Sequence, residues 1–98
     1  MVRPTKSRSV EREPDATYFK PRAIPLMELE EVQLSVDESE AFRLRFLDKL
    51  NQEECASKMG VSRTTFWRIF TSGGNKIADA LTNGKAIRIE GGQYHIKR

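Results

Sequence analysis

Residues 52–69 read QEECASKMGVSRTTFWRI, and their spacing decides the fold. Asn51, just ahead, can cap a helix whose third residue, Glu54, reaches back to it. That helix buries Cys55, Ala56 and Met59 and stops at Gly60, where a left-handed backbone costs glycine nothing. Ser62 caps a second helix. Ala56 has to be small because the second helix crosses close over it, and Val61, Phe66 and Ile69 fill the seam. Two short-linked helices of this kind form a helix-turn-helix unit.

The scaffold leaves Arg63, Thr64, Trp67, Arg68 and Thr71 unused. At 3.6 residues per turn they lie opposite Phe66, Ile69 and Phe70. A helix N-terminus with free amides fits the DNA major groove and directs its dipole at phosphate. Arg63 and Arg68 can each donate two bonds to a guanine edge or neutralise phosphates. Thr64 and Thr65 can touch a phosphate or a thymine methyl, Trp67 a base edge or sugar, and the Ser62 and Arg63 amides a phosphate. The expected DNA-binding set is Ser62, Arg63, Thr64, Thr65, Trp67, Arg68 and Thr71. Plainer roles compete: Trp67 as a core or interface anchor, Thr65 as part of the helix cap.

Outward from this unit, TTFWRIFTSGGNKIADALTNG keeps one apolar face through Phe66, Ile69, Phe70, Ile77, Ala80 and Leu81. This favours one long helix across Gly73-Gly74, at a cost of about 1 kcal/mol per glycine relative to alanine; a break into two helices is the alternative. Asn83-Gly84 ends it. KAIRIEGGQYHIK then changes to a period of two. A Gly91-Gly92 turn would pair Ile89 with Tyr94 and Ile87 with Ile96 in a β-hairpin over 86–97. Upstream, Ser35-Val36-Asp37-Glu38 is a capping box opening a helix that continues through Ala41, Leu44 and Phe46-Leu47 to about Asp48. TYFKPRAIP (17–25) is extended between prolines and lays Tyr18 and Phe19 on the core. Pro25 can open a short helical turn over 26–31 with Leu26 and Leu29 inward. Residues 1–16, nearly without apolar side chains, read as a flexible basic arm, with one domain over 17–98. The expected fold is mainly α: three to four helices, the arm and the hairpin.

Ninety-eight residues, 32% charged and 38% hydrophobic, suit one soluble globular domain. No apolar run could cross a bilayer, and MVRPTKSRSVEREP has no signal-peptide core, so the expected location is cytoplasmic with no membrane partner. A single cysteine, Cys55, and a single histidine, His95, exclude an intramolecular disulfide and disfavour a zinc site. With no acid/base or metal constellation, neither an enzyme nor a cofactor is expected. Cys55 reads as a core residue, and Asp37, Glu38 and Glu40 as caps and solvated faces.

Charge is segregated. Residues 1–22 carry net +3, residues 23–61 net −5 and residues 62–98 net +5. Such a pattern suggests a polyanion approached by the two ends. The candidate phosphate contacts are Arg3, Lys6, Arg8, Lys76, Lys85 and Arg88.

Three elements in order, YFKPR (18–22), GVSRTTF (60–66) and KAIRIEGG (85–92), resemble a family of small prokaryotic predicted DNA-binding proteins of unknown role. That family is described as carrying a helix-turn-helix like sigma-factor region four. The resemblance runs from about Arg3 to Gly92 and implies DNA binding by Arg63, Thr64, Trp67 and Arg68. Ser72-Gly73-Gly74-Asn75 stands where basic residues are expected, and QYHIKR is a longer tail. The function expected is sequence-specific duplex DNA binding by a transcriptional regulator acting as a homodimer. The alternatives are a module contacting transcription machinery, or an RNA-binding protein stacking bases on Tyr18 and Phe19.

Overall fold

The computed structural model describes residues 7–97. Its elements run β1 (Arg8–Val10), β2 (Tyr18–Phe19), a 3₁₀ turn (Leu26–Glu28), β3 (Glu31–Leu34), α1 (Val36–Phe42), a π-helical turn (Arg43–Leu47), α2 (Gln52–Met59), α3 (Arg63–Asn83), β4 (Ala86–Ile89) and β5 (Tyr94–Ile96). Three helices plus short strands make the fold mixed α/β rather than mainly α.

The helical part follows the local chemistry read from the chain. Ser35 and Glu38 close a capping box on α1, and Asn51 and Glu54 close one on α2. Gly60 ends α2 at φ +68°, and Ser62 accepts the Thr65 amide to open α3. Cys55, Ala56, Met59, Phe66 and Ile69 are buried with Ala41 and Leu44 in one cluster, and Val61 and Phe70 pack on it.

α3 is a single helix of 21 residues, unbroken through Gly73-Gly74, and therefore about 30 Å long. The two glycines are not equivalent. A Cβ on Gly73 would stand 2.8 Å from Phe42 Cε2 and 3.2 Å from Glu38 Cβ, whereas on Gly74 it would meet Phe42 Cζ at an ordinary 3.6 Å. Gly73 is thus the point where α1 crosses close on α3. Phe42 cannot swing aside freely, because its ring stacks on Phe46 and Phe70 with centroids 5.8 and 4.7 Å away. Gly73→Ala is expected to lower stability by about 1–2 kcal/mol even though alanine favours a helix, while Gly74→Ala raises it by about 0.5–1 kcal/mol. Urea unfolding of the two variants gives the comparison.

The strands depart from expectation. No hairpin forms between β4 and β5. β4 is the centre of a three-stranded sheet, antiparallel to β2 (Tyr18↔Arg88, Phe19↔Ile87) and parallel to β3 (Val32↔Ile87, Leu34↔Ile89). β5 instead pairs parallel with β1, Val10 opposite Ile96. Gly91-Gly92 is therefore a crossing between two sheets. It passes over the start of α1, where the Gly91 carbonyl accepts the Val36 amide at 3.0 Å. Two partners decided the pairing: β3, of which only Glu31 falls in the turn expected over 26–31, and β1, which lies in the segment expected to be a flexible arm.

The arm is corrected as well. Val10 is fully buried with Leu34, Val36 and Ile89 in a second core cluster, so the folded region begins before residue 17. Several apolar side chains expected inside are outside: Phe19, Leu26, Phe46, Leu47 and Leu81 are all exposed.

Candidate nucleic-acid interface

The surface that α3 offers begins one residue after the turn. Ser62, Arg63, Thr64, Trp67 and Arg68 are exposed, and Thr65 and Thr71 are half-buried. The Ser62 hydroxyl holds the Thr65 amide at 3.1 Å and donates to Thr65 Oγ1 at 3.0 Å, so Thr65 serves the cap. The Thr71 hydroxyl is turned back onto its own helix, donating to the Trp67 carbonyl at 2.7 Å. Trp67 is 48% exposed, its ring tilted against Phe70 at 6.0 Å. The side chain of Arg63 is 65% exposed and touches Gln52 Oε1 at 3.2 Å and Glu53 at 3.7 Å on α2. These exposed contacts are worth little and yield readily to a phosphate. Arg68 makes no ion pair among the described residues.

Arg68 also lines a groove of about 710 Å³ together with Gly60, Ser62 and Thr65, and Arg8 of β1 closes its far side. The fold thus brings one candidate from the N-terminal segment beside α3. Arg8 is only partly available: its guanidinium lies 3.4 Å from Asp37 and its side chain is 17% exposed. Arg45 shares a smaller hollow with Arg63, Asn51 and Gln52. It was overlooked because it sits in the acidic middle of the chain, where its charge is outnumbered.

The remaining phosphate candidates lie elsewhere and are engaged within the chain. Lys76 donates to Glu38 at 2.8 Å. Lys85 bonds Asp79 at 3.0 Å and approaches Glu30 at 3.5 Å. Arg88 forks onto Glu31 at 2.9 and 3.1 Å, with its guanidinium 4.8 Å above the Tyr18 ring. The hydrogen bond from Arg88 holds the Glu31 carboxyl below its ordinary range, and the bond that the Tyr18 hydroxyl donates to Glu31 raises the Tyr18 phenol. Tyr18 is thereby spoken for and does not offer a bare ring to a base. Arg3 and Lys6 lie outside the described residues.

These pairs revise the charge reading. Much of the acidic middle segment neutralises the basic ends internally: Asp37 with Arg8, Glu38 with Lys76, Glu30 with Lys85 and Glu31 with Arg88. Of the reading of Asp37, Glu38 and Glu40 as caps and solvated faces, the cap holds for Glu38, and the solvated face fails, since all three are buried. Glu40 binds the Arg43 guanidinium at 2.7 and 2.9 Å and accepts the Glu11 amide at 2.8 Å. Burial pushes the Glu38 carboxyl up, but Lys76, Ser72 and the Ser35 amide outweigh it and hold it below the ordinary 4.5. Burial also raises the Cys55 thiol, which stays protonated in the core and is no nucleophile.

Among the described residues no group of three His, Cys, Asp or Glu side chains could hold a metal ion, and no helix is long and apolar enough to cross a membrane.

The family described as "Protein of unknown function DUF134" matches residues 1–97. The chain is 60% identical over 96 residues to a UPF0251 protein of Moorella thermoacetica, covering 98% of this chain and 64% of that one. It is 62% identical over 96 residues to the UPF0251 protein TTE1845 of Caldanaerobacter subterraneus subsp. tengcongensis, covering 98% and 81%. It thus spans less than two thirds of the Moorella protein's length. No solved structure matches. The chain belongs to the DUF134 family of prokaryotic proteins.

Proposed function

We propose that this member of the DUF134 family binds double-stranded DNA in a sequence-specific way, as a transcriptional regulator, with α2 and α3 acting as a helix-turn-helix. One observation carries the reading: the first turns of α3, directly after the left-handed Gly60, turn Arg63, Thr64 and Arg68 to solvent while Phe66 and Ile69 hold the helix to the core. The Ser62 hydroxyl takes up the Thr65 amide, which leaves the amides of Arg63 and Thr64 for a phosphate. Arg68 and Arg8 flank one groove, so a phosphate beside the recognition helix meets charge from two elements. Arg63 and Arg68 reach guanine edges or phosphates, and Arg45 adds charge beside Arg63. Thr71 contributes through its helix rather than its hydroxyl. One such unit reads few bases, and two copies on paired half-sites supply the remaining specificity.

The test is a titration into random duplex DNA and single-stranded RNA at about 50 and 200 mM salt, where several phosphate contacts make duplex affinity fall steeply. Arg68→Ala is expected to weaken duplex binding about tenfold or more, a loss of about 1–3 kcal/mol. Lys20→Ala removes the same charge from the sheet side, beside the far end of α3, and leaves binding close to wild type. Equal losses in the two variants, or tighter binding to the RNA, contradict the reading.

A further inference from the structure

We propose that the chain forms a homodimer through one apolar surface made by Phe19, Phe46, Leu47 and Leu81. These side chains are 53%, 57%, 76% and 76% exposed, and they come from β2, the π-helical turn and the C-terminal end of α3. Two hollows that share Phe19 connect them. Phe19, Phe46 and Leu47 line a groove of about 570 Å³ floored by Phe42 and Ile89. Phe19 is also a wall of the neighbouring hollow, of about 310 Å³, that ends at Leu81. Phe46 is held in place, lying 5.8 Å from Phe42 and 5.7 Å from Phe70 between centroids, so docking it sacrifices little side-chain freedom.

The area suits a second copy of the chain. The four exposed side chains offer about 500 Å² of apolar surface, taking about 200 Å² for each aromatic and slightly less for each leucine. A stable interface covers about 800 Å² per partner, and about 56–65% of that is apolar. The charges around the groove agree. Arg12, Glu13 and Asp15 edge it with both signs within four residues. In a two-fold contact the same patch meets itself, and a mixed rim can pair its own charges. With Arg12 and Arg43 set against Glu13, Asp15 and Glu40, the lining has no positive excess to draw a nucleic-acid backbone, which disfavours DNA as the occupant. The proposed DNA-reading arginines, Arg63 and Arg68, are not part of this surface. The dimer stands on the apolar surface alone, and the DNA reading gains its second half-site from it.

Sedimentation of the full chain from about 1 to 100 μM, a range spanning ordinary dimer affinities, tests this. Wild type is expected to run as a dimer. Leu47→Glu and Leu81→Glu, each at a site about three-quarters exposed, are expected to raise the dimer dissociation constant about tenfold or more. Their circular dichroism should stay that of wild type, because neither side chain belongs to either core cluster. Arg68→Ala should leave the dimer intact. A wild-type monomer throughout the range overturns the proposal and assigns the patch to a different protein. A dimer that survives both glutamates overturns it as well. Duplex binding by a monomeric wild type would sink the dimer alone, and a dimer without duplex binding would sink the DNA reading alone.

Discussion

Gly92→Ala is expected to cost about 3 kcal/mol of stability or more, among the largest single effects in this fold. Gly92 sits at φ +102°, and a Cβ there would stand 2.3 Å from Asp37 Oδ1 and 2.8 Å from Ser35 Cβ. Neither neighbour can retreat. Asp37 is buried, with its other oxygen against Arg8, and the Ser35 hydroxyl holds the Glu38 amide that caps α1. Gly91→Ala differs. Its φ is also positive, +77°, but its Cβ would meet Gln33 Nε2 at 2.9 Å, the far end of an exposed side chain that can swing away. What it costs is the backbone strain, about 1 kcal/mol, and the exposed bond that Gln33 Nε2 donates to the Glu90 carbonyl. Urea unfolding followed by circular dichroism should rank Gly92→Ala well below Gly91→Ala. Near-equal losses would suit a simple two-residue hairpin turn and contradict a crossing packed on α1.

Glu38→Ala is expected to cost about 2–4 kcal/mol. One carboxylate makes three bonds across two helices: Oε1 accepts the Ser35 amide and Lys76 Nζ, both at 2.8 Å, and Oε2 accepts the Ser72 hydroxyl at 2.6 Å. Removing it takes away the reciprocal half of the α1 capping box, leaving the Ser35 hydroxyl on the backbone amide, and unties α1 from the middle of α3. Lys76 is itself 38% exposed and can turn to water, which keeps the loss below that of a fully buried pair. The pH dependence follows from the direction of the shift. The folded-state carboxyl titrates below the ordinary 4.5, so its contribution is complete above that value and is lost as pH falls through the lower, folded value. Glu38→Gln should flatten that part of the acid limb in urea midpoints measured from neutral pH downward. An unchanged acid limb would show that Glu38 is not held as described.

Helix ends were legible because capping is local. Ser35, Asn51, Gly60, Ser62 and Gly84 each act within four residues of themselves, and all five stand at the predicted ends. The core seam of α2 and α3 was legible for the same reason, as a periodicity of 3.6. Strand pairing was not, because it depends on partners distant in the chain. Gly91-Gly92 and the alternation on either side satisfy a hairpin locally, and only Val10 and Leu34, far upstream, outcompete it. The buried carboxylates were hidden by the same distance: nothing near Glu38 in sequence announces Ser72 and Lys76, and only the crossing at Gly73 brings them there. The expectation of basic residues at 72–75 met a packing constraint, since Ser72 bonds Glu38 and the two glycines lie against Phe42 of α1. At the candidate site, Arg63, Thr64, Trp67 and Arg68 lie on the exposed side as their spacing implied. Lys76, Lys85 and Arg88 did not belong with them, because charge counts along a chain do not distinguish a free cation from one already paired.

Backbone amide chemical shifts of the isotope-labelled protein, followed as duplex DNA is added, test the central proposal most directly. The account predicts that the largest changes fall on Ser62 to Thr71, extend to Gly60 and Arg8 across the shared groove, and spare Lys76, Lys85 and Arg88. Changes centred on those three cations, with Ser62 to Thr71 still, would contradict it.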